Sequence, residues 1–347
     1  VDTMPKLSHF VCMHQAFKVL TTIILGCISI IPLGVTQASA QILQTHALPW
    51  PAYDIALAQN GTAIVSMIGS DPLWVRNSQG EARTPSLPQG QFKVQIKADS
   101  SIAYLLGLDN PNLIVFDLRS DSPALRSFSA LPTDFQLSRD EENVVVGLHD
   151  NTSIVSDTTN FYDGEPIALK APPTSIVIAP SSTVAYLGVG TSIVKIGLEG
   201  RKLLHEIRTR GSVERLAISP SGKQLYAITS RISAQGETVR ALTVIDTKTR
   251  KVTASRTLEV SGTETPTFEL EAGTKNIFIS SSQPLKVGAR MAGVVRLSIR
   301  QGALGRAYVF AQVNAGAGPI AYNESSRTLG VILPASQSVQ FMRTPRA

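Results

Sequence analysis

The fold is decided by a short segment that recurs along the chain. Its clearest copy is LAISPSGKQLYAI at residues 216–228, followed by LTVIDTKTRKV at residues 242–252. Short runs of apolar and β-branched residues, which are typical of β-strands, alternate here with stretches rich in Pro, Gly, Ser and Asp. Those residues favour turns, because they set the backbone dihedral or bond their own backbone. The segment therefore predicts short strands joined by tight turns.

The same unit occurs seven times. If the last apolar residue before the first turn marks each copy, the spacings are 39, 41, 41, 40, 52 and 52 residues. Four short strands per unit of about 40 residues is the pattern of β-propeller blades. We therefore predict an all-β, seven-bladed β-propeller of four-stranded antiparallel blades over residues 41–347. The markers are Leu57, Ile96, Leu137, Ile178, Ile218, Leu270 and Tyr322.

The two ends of this region are predicted to share one blade. The seventh copy ends after its third strand, at residues 339–342, and so lacks a fourth. Residues 41–49 (QILQTHALP) resemble the outer strand of the second copy at residues 124–132 (ALRSFSALP). We expect the amino-terminal strand to complete the seventh blade and close the ring, because closure leaves no exposed sheet edge between the first and last units.

The fifth copy resembles the bacterial YVTN-type repeat. It contains Ile-Ser-Pro-x-Gly-Lys-x-Leu-Tyr at residues 218–226, Val-Ile-Asp-Thr-x-Thr at residues 244–249 and Lys-Val at residues 251–252. The resemblance implies the propeller fold. Proteins with this repeat include surface-layer and exported binding proteins, lactonases and electron-transfer subunits, so the resemblance leaves the activity open.

Residues 1–40 have the features of a secretory signal peptide. Lys6 precedes an apolar run at residues 19–35, and small residues at 38–40 suit a signal peptidase. We expect cleavage before Gln41, a periplasmic or secreted mature protein, and no stable membrane span. Two alternatives are a retained anchor, since the run approaches spanning length, and lipidation at Cys27.

Composition excludes several kinds of chemistry. Both cysteines, Cys12 and Cys27, lie in the leader, so the remainder has no thiol nucleophile, no disulfide framework and no covalent c-type haem. The net charge is +6 without a run of Lys or Arg, which disfavours a nucleic-acid partner. We predict neither a cofactor nor a metal ion.

Candidate catalytic residues are sparse. His149 and Asp150 lie in the turn between the second and third strands of the third copy, and Asp109 and Glu264 lie at other strand ends or linkers. Neighbouring side chains at a strand end point apart, which disfavours an acid–base pair. A non-enzymatic protein is therefore favoured. The alternative is a propeller enzyme, either a lactonase-like hydrolase or a subunit of a periplasmic oxidoreductase.

The fifth and sixth copies depart from the regular length. Each has about a dozen extra residues against a usual period near 40, at 229–240 and 280–292, between the second and third strands. Such connections emerge on the same face as the linkers between copies. The sequence therefore predicts two adjacent long loops beside the central channel.

The charged residues of these insertions are mainly basic, since Glu237 is the one acidic residue. Arginine donates several hydrogen bonds to carboxylates and phosphates. We predict that this rim binds a protein or an anionic envelope component, with His149 and Asp150 as further candidates. The alternative is that the insertions are tolerated surface loops. The basic candidates are Arg231, Arg240, Lys286 and Arg290.

Overall fold

The computed structural model describes residues 40–159, 164–261, 266–300, 303–311 and 316–345. These residues form seven four-stranded antiparallel sheets arranged as a seven-bladed β-propeller, which confirms the predicted fold class. The predicted signal peptide lies outside the described residues apart from Ala40.

Strands account for nearly all regular structure in these ranges, and Pro334–Ser336 forms a short 3-10 turn. The described part of the chain has no helix long and apolar enough to cross a membrane. In chain order the strands are β1 (Gln41–Ala47), β2 (Ala52–Leu57), β3 (Ala63–Met67), β4 (Leu73–Arg76), β5 (Ala82–Arg83), β6 (Phe92–Ile96), β7 (Ile102–Gly107), β8 (Asn112–Asp117), β9 (Ser122–Ser127), β10 (Pro132–Leu137), β11 (Asn143–Leu148), β12 (Thr152–Asp157), β13 (Ile167–Ala168), β14 (Pro173–Ile178), β15 (Val184–Val189), β16 (Ser192–Gly197), β17 (Lys202–Arg208), β18 (Ser212–Ile218), β19 (Gln224–Ile232), β20 (Thr238–Asp246), β21 (Val252–Leu258), β22 (Phe268–Ala272), β23 (Asn276–Val287), β24 (Arg290–Arg300), β25 (Ala303–Ala311), β26 (Ile320–Asn323), β27 (Thr328–Leu333) and β28 (Ser338–Arg343).

Six blades take four consecutive strands, from β2–β5 to β22–β25, and the first strand of each lines the central channel. The seventh blade has the order β26-β27-β28-β1. Ile42 pairs with Met342 and His46 with Val339 across β1 and β28. The predicted closure is confirmed: the strand nearest the amino terminus completes the last blade.

The apolar core lies between neighbouring blades. The second strand of each blade packs on both faces, so its residues are nearly all apolar, and β3 is buried along its whole length. The largest interblade cluster joins the fifth and sixth blades through residues such as Tyr226 and Phe268. Because each blade packs on its neighbours, the centre of the ring remains open as a channel.

A tight turn joins the inner strand of each blade to the second strand of the same blade. In the fifth blade Gly222 adopts a φ of +69°, and the Ser219 N–H donates to the Gln224 carbonyl at 2.8 Å across the turn. Glycine accepts this dihedral without steric cost. The Pro and Gly of the repeat therefore encode the turn.

The two insertions, which the sequence predicted as long loops between strands, form β-hairpins. Strand β19 continues to Ile232 and β20 begins at Thr238, and these two residues pair with each other. In the sixth blade β23 continues to Val287 and pairs with Arg290 at the start of β24. Extending the ladder satisfies backbone N–H and C=O groups that an irregular loop would have to satisfy in other ways.

In the sixth copy the apolar marker Leu270 lies two residues before the end of the inner-strand ladder. Strand β22 continues past Leu270, and the last pair of its ladder is Ala272 with Ile277. In the fifth blade the last pair is Ile218 with Leu225. The inner strand of the sixth blade is therefore shifted by two residues relative to the alignment by apolar markers.

Candidate functional site

Two structures dominate the face predicted to bind a partner. We call residues 229–240 the blade-5 hairpin and residues 280–292 the blade-6 hairpin. Both lie against linkers between blades. A Cβ on the linker residue Gly211 would lie 2.3 Å from the Ser230 carbonyl oxygen of the first, and the Lys286 N–H of the second donates to the Glu259 carbonyl at 2.8 Å. The face that carries the hairpins and linkers is the rim.

The blade-6 hairpin lies down on the preceding linker. In addition to the Lys286 bond, the Ser261 N–H donates to the Pro284 carbonyl at 2.9 Å. Leu285 is only 2% exposed and Ala292 is fully buried, both within the cluster between the fifth and sixth blades. The apolar residues of this hairpin are thus used inside the protein.

The four basic candidates on the rim differ in their surroundings. Arg240 lies 3.2 Å from Glu214, and its side chain is 12% exposed. Its guanidinium also lies 5.7 Å from the centroid of the Phe268 ring. Arg240 therefore anchors the base of the blade-5 hairpin.

The other three basic residues are exposed. Lys286 lies 3.4 Å from Glu259, and both side chains are more than half exposed. Arg231 is close to the tip of the blade-5 hairpin, and Arg290 begins β24. The insertions contain one acid, Glu237, but Glu214 and Glu259 lie beside them on the strand and the linker. The rim is therefore less basic than its insertions alone suggest.

His149 and Asp150 lie in the turn between β11 and β12, and both are exposed. The Asp150 carboxylate accepts the Thr152 N–H at 3.1 Å and its hydroxyl at 2.6 Å. Asn151, which lies between Asp150 and Thr152, has a backbone φ of +65°. Asp150 thus caps a tight turn, a common structural role for aspartate.

The described residues named for the enzyme alternative lie on two connections, Asp109 between β7 and β8 and His149 and Asp150 between β11 and β12. The Asp109 carboxylate accepts the Gln91 N–H at 3.3 Å, whereas Glu264 lies outside the described residues. Over the described ranges, no three His, Cys, Asp or Glu side chains are placed to hold a metal ion.

The central channel contains a set of polar residues that sequence analysis missed. It encloses about 380 Å³ and is lined by the inner strands. Six blades place a polar or charged residue three positions before the last paired residue of the inner strand, and five of these are charged. They are Asp54, Lys93, Asp134, Ser175, Arg215 and Glu269.

Three of these channel residues accept a backbone N–H of the next blade. The Asp54 carboxylate accepts from Val94 at 2.9 Å. The Asp134 carboxylate accepts from Ile176 at 2.7 Å, and the Ser175 hydroxyl oxygen accepts from Leu216 at 3.0 Å. These bonds tie the inner strand of the first blade to the second, of the third to the fourth, and of the fourth to the fifth.

The charged members also form ion pairs between blades. The Lys93 ammonium donates to Asp134 at 2.7 Å, and the Arg215 guanidinium donates to Glu269 at 3.0 Å. Equivalent positions in neighbouring blades therefore alternate in charge over part of the ring. Opposite charges at short distance offset part of the cost of removing them from water.

Two carboxylates remain outside these ion pairs in the described part of the channel, Asp54 and Glu271. Burial raises the pKa of Asp54 to about 7. Burial, followed by the nearby Glu269 and Asp54 carboxylates, raises the pKa of Glu271 to about 8. The channel therefore holds more acid groups than it can keep ionised at neutral pH.

A repeat-by-repeat comparison of the sequence could have found these residues, because a polar or charged residue recurs at this position in six of the seven blades. The displaced sixth marker concealed only Glu269, since the other five residues lie three positions before their markers. Alignment on Leu270 leaves Glu269 one position before the marker, whereas the structure places it three positions before Ala272. Glu269 therefore joins the set only in the register that the structure shows.

Comparison with known proteins supports the fold. No family model and no curated protein matches the sequence. The structure is similar to the β-propeller domain of Cps50 (Swd1) from Myceliophteria thermophila, with a TM-score of 0.67 and 11% sequence identity over 87% of this chain and 100% of that chain. At this identity the similarity shows the fold alone. The protein is a seven-bladed β-propeller.

Proposed function

We propose that this protein is an exported, non-enzymatic binding module built from YVTN-type repeats, and that its rim holds a protein or an anionic envelope component. The main support is the position of the two hairpins. They rise from adjacent blades onto one face and bring Arg231, Lys286 and Arg290 there as exposed cations. Long segments on a rigid scaffold often carry function, because the scaffold holds them in a defined geometry.

The ring supports this role by being rigid beneath the hairpins. Cores between blades and channel bonds hold each inner strand to the next. A preorganised surface loses little conformational entropy on association. In this proposal the scaffold supplies rigidity and the rim supplies contacts.

A variant of the exposed rim cations tests the binding role. Arg231→Ser, Lys286→Ser and Arg290→Ser are combined, and Arg240 is retained because it anchors the hairpin through Glu214. The matched control replaces three other exposed lysines, Lys202, Lys248 and Lys251. They lie at the connections between the third and fourth strands of the fourth and fifth blades. Those connections emerge on the opposite face of the ring.

Mild crosslinking in intact cells of the native host, followed by mass spectrometry, identifies the partner of the parent protein. We expect the rim variant to lose this partner and the control variant to retain it, with both variants unfolding at the parent temperature. Retention of the partner by the rim variant would overturn the proposed function.

Export is a separate part of the proposal and rests on the character of residues 1–40. Fractionation of the native host and amino-terminal sequencing test it. We expect a periplasmic or secreted protein that begins at Gln41. A cytoplasmic protein with an intact leader would contradict export without affecting the fold.

A further inference from the structure

A groove opens between the outer parts of the fifth and sixth blades and encloses about 240 Å³. Its walls come from the outer strand β21, the blade-6 hairpin and strands β24 and β25. Leu258, Val287 and Ala307 pack against the core between these blades but remain only partly buried. The groove therefore exposes apolar surface. Its apolar lining consists of Leu258, Leu285, Val287, Val295, Leu297 and Ala307.

Arg256 faces this groove together with Leu258. Residues two positions apart on a strand point to the same face of the sheet. Arg256 also pairs with Leu242, and directly paired residues share a face. Leu242 belongs to the core between the fifth and sixth blades. Arg256 is partly buried, whereas Ser255 and Thr257 on either side of it are exposed. The guanidinium therefore lies beside the apolar surface of the groove.

The Arg256 guanidinium has no hydrogen bond, ion pair or aromatic contact within the part of the chain that the structure describes. The cleft between the seventh and first blades differs in this respect. There Arg76 donates to the Gln44 side chain and lies 5.0 Å from the centroid of the Phe341 ring. Arginine presents five N–H donors in a fixed planar geometry. Those of Arg256 are therefore available to a ligand in the groove.

The remaining charged side chains beside the groove pair with each other. Lys286 follows Leu285 in the blade-6 hairpin, so strand alternation turns its side chain to the opposite face. It lies 3.4 Å from the carboxylate of Glu259, and these two charges cancel. Arg256 therefore gives the groove a net charge of about one positive unit at neutral pH, because a guanidinium stays protonated.

The polar groups within reach also bear on the kind of occupant. The groove lies between the faces of two sheets, and strand N–H and C=O groups point within their own sheet toward neighbouring strands. A peptide in the groove would bury main-chain polar groups without partners, which is costly. An acyl chain has no polar group along its length and is stabilised by burial of each CH₂. The lining therefore favours an acyl chain with one negative charge at its end.

We propose that the groove between the fifth and sixth blades binds a medium-chain fatty acid, with its carboxylate on Arg256 and its acyl chain along Leu258 and Ala307. Arginine can donate two parallel hydrogen bonds to one carboxylate. Sites for drug-sized ligands enclose about 300–1,000 Å³, so the smaller groove suits a chain of medium length. This site goes beyond the proposed function and does not use the exposed cations of the rim.

Titration calorimetry with sodium decanoate, below its micelle-forming concentration, tests the site on the full chain purified from its native host and stripped of lipid. We expect one decanoate per protein. Acetate lacks the chain and decyltrimethylammonium has the opposite charge, so each should bind about tenfold more weakly or less. Absence of decanoate binding would overturn the inference, and so would equal binding of decyltrimethylammonium.

Two substitutions locate the bound decanoate. Arg256→Gln removes the charge and should weaken the affinity about tenfold or more. Ala307→Leu fills the groove and should weaken it by a similar factor. Arg208→Gln, at an exposed position on the outer strand of the fourth blade, is the matched control and should bind as the parent does. Thermal unfolding checks that each variant is folded. Parent affinity in folded Arg256→Gln or Ala307→Leu would refute the site.

Two further measurements distinguish this site from the rim and from a peptide site. A variant with Arg231→Ser and Arg290→Ser should bind decanoate with the parent affinity, whatever happens to its macromolecular partner. Loss of decanoate binding in that variant would assign the fatty acid to the rim and overturn the groove. Trileucine carries apolar side chains and a free carboxylate. If it bound as tightly as decanoate, the occupant would be a peptide and the fatty acid would be wrong.

Discussion

The channel and the rim both gather charged side chains from neighbouring blades, but they hold them in opposite ways. In the channel, Asp134 bonds both Lys93 and the Ile176 backbone of the next blade. On the rim, Arg231 is exposed at the end of a hairpin. The difference indicates that charge in the channel contributes to holding the ring together, whereas the Arg231 charge on the rim is exposed to solvent.

Solvation explains the contrast. A buried ion pair offsets a large desolvation cost, and removing one partner leaves the other charge uncompensated. An exposed pair is worth little, because water solvates each charge nearly as well. Changes in the channel should therefore affect stability, and changes at the exposed rim should affect binding.

The largest expected effect comes from Asp134→Ala. This change leaves the Lys93 ammonium without its carboxylate and the Ile176 N–H without its acceptor. We expect the free energy of unfolding to fall by about 3–5 kcal/mol, measured by urea denaturation at pH 7. The control is Asp121→Ala, which breaks the exposed pair with Arg83. Equal losses in the two variants would remove the distinction between channel and surface.

Glu271→Gln tests the excess negative charge of the channel. The pKa of Glu271 is raised from 4.5 to about 8, so the native state binds the extra proton between these values and stability falls as pH rises. The penalty is nearly absent below pH 4.5 and largest above pH 8. We expect the variant to be more stable than the parent by about 4 kcal/mol at pH 8.5.

The measurement for Glu271→Gln is thermal unfolding at pH 4 and pH 8.5, with exposed Glu142→Gln as control. Glutamine already occupies the equivalent place in the second and third blades, at Gln95 and Gln136. It should therefore fit without new strain. A stabilisation equal at both pH values would show that charge is not the cause.

Arg240→Ala tests a rim residue that is largely buried and ion-paired, as the charged channel residues are. Losing its contacts with Glu214 and Phe268 should reduce stability by about 1 kcal/mol. Hydrogen exchange of the amides at 229–232 should become faster, since the base of the blade-5 hairpin loosens. Arg231→Ala is the matched control. Unchanged exchange in Arg240→Ala would mean that the ladder alone holds the hairpin.

Lys286→Ala should have the smallest effect. Its pair with Glu259 is exposed on both sides, so we expect the free energy of unfolding to change by less than about 0.5 kcal/mol. Urea denaturation at low and high salt checks this. A loss comparable to that of Asp134→Ala would show that the rim also contributes to holding the ring together.

Most of the fold could be predicted because its elements are local. Strand runs and turns recur along the sequence, and the incomplete seventh copy indicated the pairing of Ile42 with Met342 that the structure contains. The insertions were also located correctly. Their form was predicted wrongly, because extended hairpins keep pairing where composition alone suggests a loop.

The candidate site was less predictable. Arg231 and Lys286 could be chosen from composition. The contact of Arg240 with Glu214 and the packing of Leu285 on its linker could not, because each joins separate elements of the chain. The six aligned channel residues come from six different blades. Their side chains meet only when the ring has closed.

The sequence by itself determined the repeat, the seven strand sets and the exchange of strands at the ends, because strand period and turn chemistry depend on neighbouring residues. The tertiary structure alone decided which charges are desolvated in the channel, which hairpin lies on its linker and which one leaves Ile232 exposed. Burial and ion pairing depend on distances between residues about 40 or more positions apart, and no local pattern encodes those distances.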